Sequence, residues 1–574
     1  MRTSIPACSA ALLIAVPLLA ATVTVDDATR YQVIDGWGAC LYSGTPYTNN
    51  TWRLAYRDLG CNVLRMPLSK EVLRHTSGDM RIAVPLVDNL QSNVEKMSFN
   101  AMAMYGSFGT WLATNALEPE RFKLVGSLWT PPHWMKSSTG ITQYYVGRPS
   151  VGYWPTPWMS GDHNNWQGPG KGDSIGGHLR QDATNLTQFG RYVAAWVTGF
   201  RQRYGIPVFA VSLQNECSFE NPFDSCTYER GEGAVGSPGA AGQWWQYAAA
   251  LKAIKDEFVA NNITTKIKAP HCAGVKDTPA NPWELNQQMK YIEAIKLHSD
   301  ASLINFVDYY CCNGYVGSSE DAVKTQAGYW LGKGSVPASW AFWLYAPGIV
   351  NDGKRTWFSE CGGEAAAWAN GSGGSPGSGA IVLAQKMHNA LVHANVSAYI
   401  HWQMTDGSSG ETEHTLLGTS HINNPHASKK YCAYKQFSRY VRPGAQRVKA
   451  VFGNGKTSTG GASEYDTYRG LSVSAYIHTQ DLAATYVLVN MTASNQPVSI
   501  QLATAVSPPS YQVYRTSGSD SFARQADLTP IDNVVSLTMP AYSVVTVYGF
   551  VPEPGSVVSA AMLLTLMGRR FGRT

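Results

Sequence analysis

Two glutamates carry the chemistry this sequence can do. Glu216 closes the run Pro207-Val208-Phe209-Ala210-Val211-Ser212-Leu213-Gln214-Asn215-Glu216. This uncharged, apolar stretch reads as a strand buried on both faces that stops at an amide and an acid. Glu360 closes a second such run, Lys354-Arg355-Thr356-Trp357-Phe358-Ser359-Glu360. A side chain at the C-terminal end of a buried parallel strand emerges where α/β folds gather their chemistry. Two carboxylates brought to one mouth from distant strands are the minimum set for splitting a glycosidic bond. Either glutamate alone reads more readily as a helix start or a surface residue; the pairing is what suggests the chemistry.

Such a mouth needs strands to build it, and the chain supplies eight candidates. Residues 21–34 alternate like an edge strand and run into Asp35-Gly36-Trp37-Gly38, where glycines around an aromatic point to close backbone approach. Residues 62–68, 122–129, 207–216, 265–269, 306–315, 356–360 and 396–402 follow as strand-like runs. Helical spacing fills 186–204, 244–259 and 380–394 between them. The alternation predicts an α/β fold, a (β/α)8 TIM barrel over residues 35–444. From Val448 the texture changes to short alternating strands at 471–476, 484–490, 498–502, 511–514 and 544–548. They predict a side β-sandwich over 445–550. The opening strand, 22–34, is expected to join that sandwich and make it a discontinuous domain.

Further side chains aim at the same mouth. Arg65 lies near the end of Asn62-Val63-Leu64-Arg65-Met66-Pro67-Leu68. Buried strands rarely carry an unpaired arginine, so Arg65 is expected to meet a carboxylate or a substrate. Trp129 ends the third strand, and Trp134 follows in Thr130-Pro131-Pro132-His133-Trp134-Met135-Lys136, where paired prolines stiffen the loop. Residues 139–178, rich in Gly, Pro, Tyr and Trp, read as a long functional loop. The chain holds 18 Trp and 30 Tyr; such rings suit sugar faces, and they also fill large cores.

Length and charge narrow the classes. The 574 residues exceed one ordinary core, and 44% hydrophobic with 15% charged residues describes a globular chain. The net charge of +5 is not concentrated in a basic run, so nucleic acid is not an expected partner. Neither Cys-x-x-Cys nor His-Glu-x-x-His occurs, and no metal or organic cofactor is expected.

Residues 1–21 combine Arg2 with an apolar stretch and small residues, the pattern of a signal peptide for export. Residues 551–574 hold Val551-Pro552-Glu553-Pro554-Gly555-Ser556, an apolar segment, and then Arg569, Arg570 and Arg573. That order resembles the bacterial C-terminal PEP sorting signal, which envelope sorting machinery recognises. Together they predict a secreted or cell-surface protein of a bacterium with an outer membrane. Export permits disulfides. Cys217 and Cys226 could staple the loop after Glu216, while Cys311 and Cys312, in an apolar run, read as buried thiols.

Six ordered motifs make the chain resemble glycoside hydrolase family 30 over nearly all of its mature length. They are Asp35-Gly36-Trp37-Gly38, Val63-Leu64-Arg65, Trp129-Thr130-Pro131-Pro132-His133-Trp134-Met135, Ser212-Leu213-Gln214-Asn215-Glu216, Ser359-Glu360, and Lys435-Gln436-Phe437-Ser438-Arg439-Tyr440-Val441-Arg442-Pro443-Gly444. The resemblance implies a retaining enzyme with a barrel and a side sandwich, in which Glu216 is the acid/base and Glu360 the nucleophile. Arg65 beside Glu360 would keep that carboxylate ionised, and repulsion between the pair would keep a proton on Glu216. Asn215 would hydrogen-bond a sugar hydroxyl, Tyr315 would hold an oxygen of Glu360, and Trp129, Trp134 and Trp402 are candidate sugar platforms.

The chain also departs from the family. A histidine often stands two residues before the tyrosine matched to Tyr315; here that residue is Asn313. The glucuronate-reading branch carries arginine after the eighth strand, where this chain has Gln403-Met404-Thr405-Asp406-Gly407-Ser408. The expected substrate is therefore a polysaccharide or oligosaccharide of β-xylan, β-1,6-glucan or β-1,6-galactan type, cut internally or from an end by a monomer. The rival classes are a non-catalytic carbohydrate-binding protein and a surface adhesin on the same scaffold.

Overall fold

Eight short parallel strands close into a ring because each is largely buried on both faces and has helices to cover its outside. In this computed structural model the described residues are 20–40, 48–77, 82–137, 178–217, 225–226, 228, 243–272, 288–314, 352–370, 377–461 and 467–552. After an opening strand β1 (Ala21–Val33), the ring is formed by β2 (Gly36–Cys40), β3 (Val63–Pro67), β4 (Lys123–Ser127), β5 (Val208–Ser212), β6 (Lys266–Cys272), β7 (Tyr309–Asn313), β8 (Arg355–Cys361) and β9 (Val396–His401). Each pairs in parallel with its sequence neighbour, and β9 pairs back to β2 to close the barrel. All eight strands expected from sequence are present. The expected leader and C-terminal signal lie, apart from Ala20, Ala21, Val551 and Pro552, outside the described residues, as do residues 139–177 of the long loop.

Glycine at the start of β2 is a steric requirement. Gly36 has φ 146°, and a Cβ there would stand 1.8 Å from the Asn62 side chain. The Asn62 amide fills that space, accepting from the Trp37 backbone at 3.0 Å and donating to the Asp35 carbonyl at 3.0 Å. Below the ring Asp35 accepts from the Trp357 indole at 2.9 Å and pairs with Arg355.

Helix Ala183–Tyr204 shows why the chain enters and leaves the outer layer where it does. The Asp182 side chain caps its start by accepting from the Asn185 backbone at 2.9 Å, and Gly205 ends it at φ 68°. Its buried face, from Phe189 through Trp196 to Phe200, packs in the main core between strands and helices.

A second large sheet draws on β10 (Gln446–Phe452), β11 (Leu471–His478), β12 (Ala483–Asn490), β13 (Gln496–Gln501), β14 (Gln512–Thr516), β15 (Ala523–Arg524), β16 (Val534–Met539) and β17 (Ser543–Phe550). With β1 they form a mixed nine-stranded sheet, ordered β15-β14-β17-β12-β11-β10-β1-β13-β16, that makes the side β-sandwich. β1 runs antiparallel to β10 and parallel to β13, so the two ends of the described chain meet in this layer. Its own apolar core runs from Val23 to Val547. Gln436 of helix Lys429–Ser438 ties barrel to sandwich through Thr516 at 2.8 Å and Thr546 at 2.6 Å.

Candidate active site

Barrel-facing residues recur every second position along a strand, so the interior is layered. Val63, Val125, Ala210 and Trp357 belong to the apolar interior layer. Two residues further on stand Arg65, Ser127, Ser212 and Ser359, a buried polar layer at the C-terminal end. Lys268 joins it from β6, donating to Ser359 at 3.0 Å and to Ser127 at 3.4 Å.

Arg65 is the hub of this layer. Its Nη1 donates to Glu360 Oε2 at 2.6 Å, its Nη2 to Asn215 Oδ1 at 2.6 Å, and its Nε to Ser127 at 2.9 Å. The fork of the guanidinium thus joins strands β3, β4 and β8 to the turn after β5. Of the two partners expected for Arg65, the carboxylate is the one it meets. Burial works against its charge, but Cys40 and Glu360 outweigh burial, and its pKa stands above the ordinary arginine value. Trp129 and Trp402 stand edge to face, 5.5 Å between centroids, with the guanidinium 5.4 Å and 5.9 Å from their rings.

Glu360 reaches the mouth through an irregularity. Consecutive strand residues normally face opposite sides, yet Ser359 meets Lys268 and Glu360 meets Arg65. The ladder with β7 shifts between Phe358 and Glu360, which lets both face inward. Glu216 follows β5 in a turn with φ 49° and is 7% exposed, while Glu360 is 6% exposed. Each is sheltered, and each keeps an edge open to a ligand. Glu216 Oε1 accepts from Asn313 Nδ2 at 2.9 Å, and Asn313 Oδ1 lies 3.0 Å from His271 Nε2.

Sequence reasoning therefore placed Glu216, Glu360, Arg65, Asn215, Trp129 and Trp402 in one neighbourhood, and the structure brings them together. Trp134 is different: half-buried in the turn His133–Met135, it packs on the main core, and its carbonyl accepts from Arg180 at 3.4 Å. Tyr315 lies outside the described residues. Asn313, His271 and Lys268 are the site residues the sequence did not reveal as such. Pro270 hid His271 by seeming to end the fifth strand at Ala269, whereas Lys268 lay inside the expected strand without being singled out. Burial, with Arg65 adding to it, lowers the Lys268 pKa to about 8.

The expected Cys217–Cys226 staple is not formed. Both are buried thiols, and Cys217 Sγ faces Cys272 Sγ at 3.6 Å. Cys311 and Cys312 are buried thiols. Among the described residues no group of three His, Cys, Asp or Glu side chains is placed to hold a metal ion, and no helix is long and apolar enough to cross a membrane.

No protein-family model matches the chain. Solved structures resemble it over most of its length. A GH30 endoxylanase from Clostridium papyrosolvens C71 superposes with TM-score 0.60 at 18% identity, over 92% of this chain and all of that one. A conserved exported protein from Bacteroides fragilis gives 0.62 at 15% identity, with 92% and 100% covered. An endo-β-1,6-glucanase gives 0.55 at 17% identity, with 94% of each chain covered. The chain thus has the GH30-like glycoside hydrolase fold, a (β/α)8 barrel with a side β-sandwich.

Proposed function

We propose that this protein is an exported retaining β-glycoside hydrolase that cleaves a β-glycan by double displacement. The observation that carries the reading is the contrast between two sheltered carboxyl groups at one barrel mouth: Glu360 paired with Arg65, and Glu216 held by the neutral amide of Asn313. Pairing with a guanidinium favours the charged form, which suits a nucleophile attacking the anomeric carbon. A neutral donor leaves Glu216 able to hold a proton for the leaving oxygen and later to take one from water. Arg65 holds the Asn215 oxygen, which turns the amide nitrogen away from the guanidinium and towards a sugar hydroxyl. Trp129 and Trp402 would form an apolar wall for the ring, Trp134 is proposed to extend the binding groove, and Tyr315 to hold an oxygen of Glu360.

The substrates considered are β-xylan, β-1,6-glucan and β-1,6-galactan, and the names of the similar structures, an endoxylanase and an endo-β-1,6-glucanase, support the first two. The leader-like residues 1–21, the tag-like residues 551–574 and the exported Bacteroides neighbour support export, with a barrel over 35–444 and a sandwich from 22–34 and 445–550. The mature chain and its Glu360→Gln variant, incubated with the three polysaccharides and with aryl β-glycosides, test the reading. Oligosaccharides released by the parent alone support an internally cutting glycanase, and single sugars an exo-acting enzyme. Binding without release by the parent would replace the reading with a non-catalytic carbohydrate-binding protein.

A further inference from the structure

The neutral side of the mouth contains a residue to which double displacement by itself assigns no task. His271 is wholly buried and stands where the ladder of β6 shifts against β7. Pro270 lies opposite Cys311 and Cys272 opposite Cys312, which leaves His271 as the extra residue of a bulge. Its φ is 72°, a left-handed conformation costly for a residue with a Cβ. The bulge turns both its backbone and its ring to one neighbour. The His271 carbonyl accepts from the Glu216 backbone N–H at 2.8 Å, and Nε2 lies 3.0 Å from Asn313 Oδ1, whose own Nδ2 donates to Glu216 Oε1 at 2.9 Å. Nδ1 lies 2.8 Å from Ser212 Oγ, which is itself 3.0 Å from Ser127 Oγ, the acceptor for Arg65.

Donor and acceptor chemistry fixes the direction of this chain. An amide oxygen only accepts, so Nε2 carries the ring proton. Burial, then Lys268 and Arg65, hold the His271 pKa well below its ordinary value. The ring is neutral. The amide of Asn313 must then turn its nitrogen to Glu216. The carboxyl oxygen Oε1 is thereby held by an N–H donor.

We propose that His271 is a positioning residue for the acid: through its carbonyl and Asn313 it fixes the Glu216 carboxyl for proton transfer to the leaving group. This rests on the reading of Glu216 as acid/base. The test compares kcat/KM, which reports steps up to the glycosyl-enzyme, for phenyl and 2,4-dinitrophenyl β-glycosides of the preferred sugar. A phenolate leaves with proton assistance; a dinitrophenolate leaves without it. His271→Leu is expected to lose about 10- to 100-fold on the phenyl glycoside, as a misplaced catalytic group does, and less than about threefold on the other. His271→Gln, whose amide nitrogen can stand in for Nε2, is expected to recover most of that loss. Asn313→Leu, which leaves the ring in place, should show the same selectivity even if His271→Leu fails to fold. Equal losses on both glycosides, or no loss, with an active parent overturn this inference alone. A parent inactive on every glycoside defeats the hydrolase reading and this inference with it.

Discussion

Glu360 and Glu216 hang from strand ends of one barrel, yet their partners differ in kind. Glu360 receives a guanidinium at 2.6 Å, flanked by two tryptophans. Glu216 receives a carboxamide at 2.9 Å, backed by a histidine that burial keeps neutral. Both sides are buried and both are built from bulged or turned backbone, so depth and strain do not distinguish them. The charge of these two donors does. In the proposed reaction this separates the roles: a cation favours a carboxylate that attacks, and a neutral donor permits a carboxylic acid that gives its proton.

The comparison breaks first at the carboxyls. Glu360→Gln is expected to abolish hydrolysis whatever the leaving group, whereas Glu216→Gln should cost about 10²- to 10⁴-fold on poor leaving groups and little on good ones. A leaving-group series on both variants checks this, and identical profiles would erase the distinction.

Arg65 supplies the next largest effect. Arg65→Met leaves Glu360 buried without its cation and should destabilise the fold by about 3–5 kcal/mol in urea unfolding. Arg65→Lys, which keeps the charge but loses the fork to Asn215 and Ser127, should cost less. Equal costs would mean that the fork, not the charge, is what matters.

Neutrality of buried histidines has a signature of its own. Burial holds His388, His271 and His401 well below the ordinary value of 6.5. Below about pH 6.5 the unfolded chain therefore binds protons that the folded chain refuses, and stability falls as the pH falls, by about 1.4 kcal/mol per pH unit for each histidine. Above that pH these groups contribute no slope. His388, far from the mouth chemistry and with neither ring nitrogen hydrogen-bonded, is the clean probe: His388→Leu should flatten the acid slope of denaturant-derived stability by one proton.

Trp402 should give the smallest effect. Its half-buried ring lines the cationic side, and Trp402→Ala is expected to raise KM by about fivefold, roughly 1 kcal/mol, with kcat nearly unchanged. A fall in kcat instead would place the ring in the transition state's surroundings.

What could be read from the chain follows from how each feature is encoded. Strands such as Val208–Ser212 and Arg355–Cys361 announce themselves because burial on both faces leaves an apolar run whose end must be polar. Glu216, Glu360 and Arg65 stood out because charge at such an end is costly without a purpose. His271 did not, since a proline interrupts its strand and the bulge that turns it inward is a matter of register; Lys268 did not, since its partners Ser127 and Ser359 come from other strands. Asn313 was visible only as a departure from a family pattern; its partners come from β6 and the turn after β5, distant in sequence. In the sandwich, Gln446–Phe452 and Val534–Met539 were missed because their alternation is mixed with charge or hydroxyls.

The central claim is that Glu360 attacks the sugar while Glu216 handles protons. Its most direct test is trapping with 2-deoxy-2-fluoro β-glycosyl fluorides of xylose, glucose and galactose, followed by peptide mass mapping. The account predicts that one of these inactivates the parent and leaves a fluoroglycosyl group on the peptide bearing Glu360, with no label on Glu360→Gln. A label on the Glu216 peptide, or turnover that releases the inverted anomer without a trapped intermediate, would contradict it.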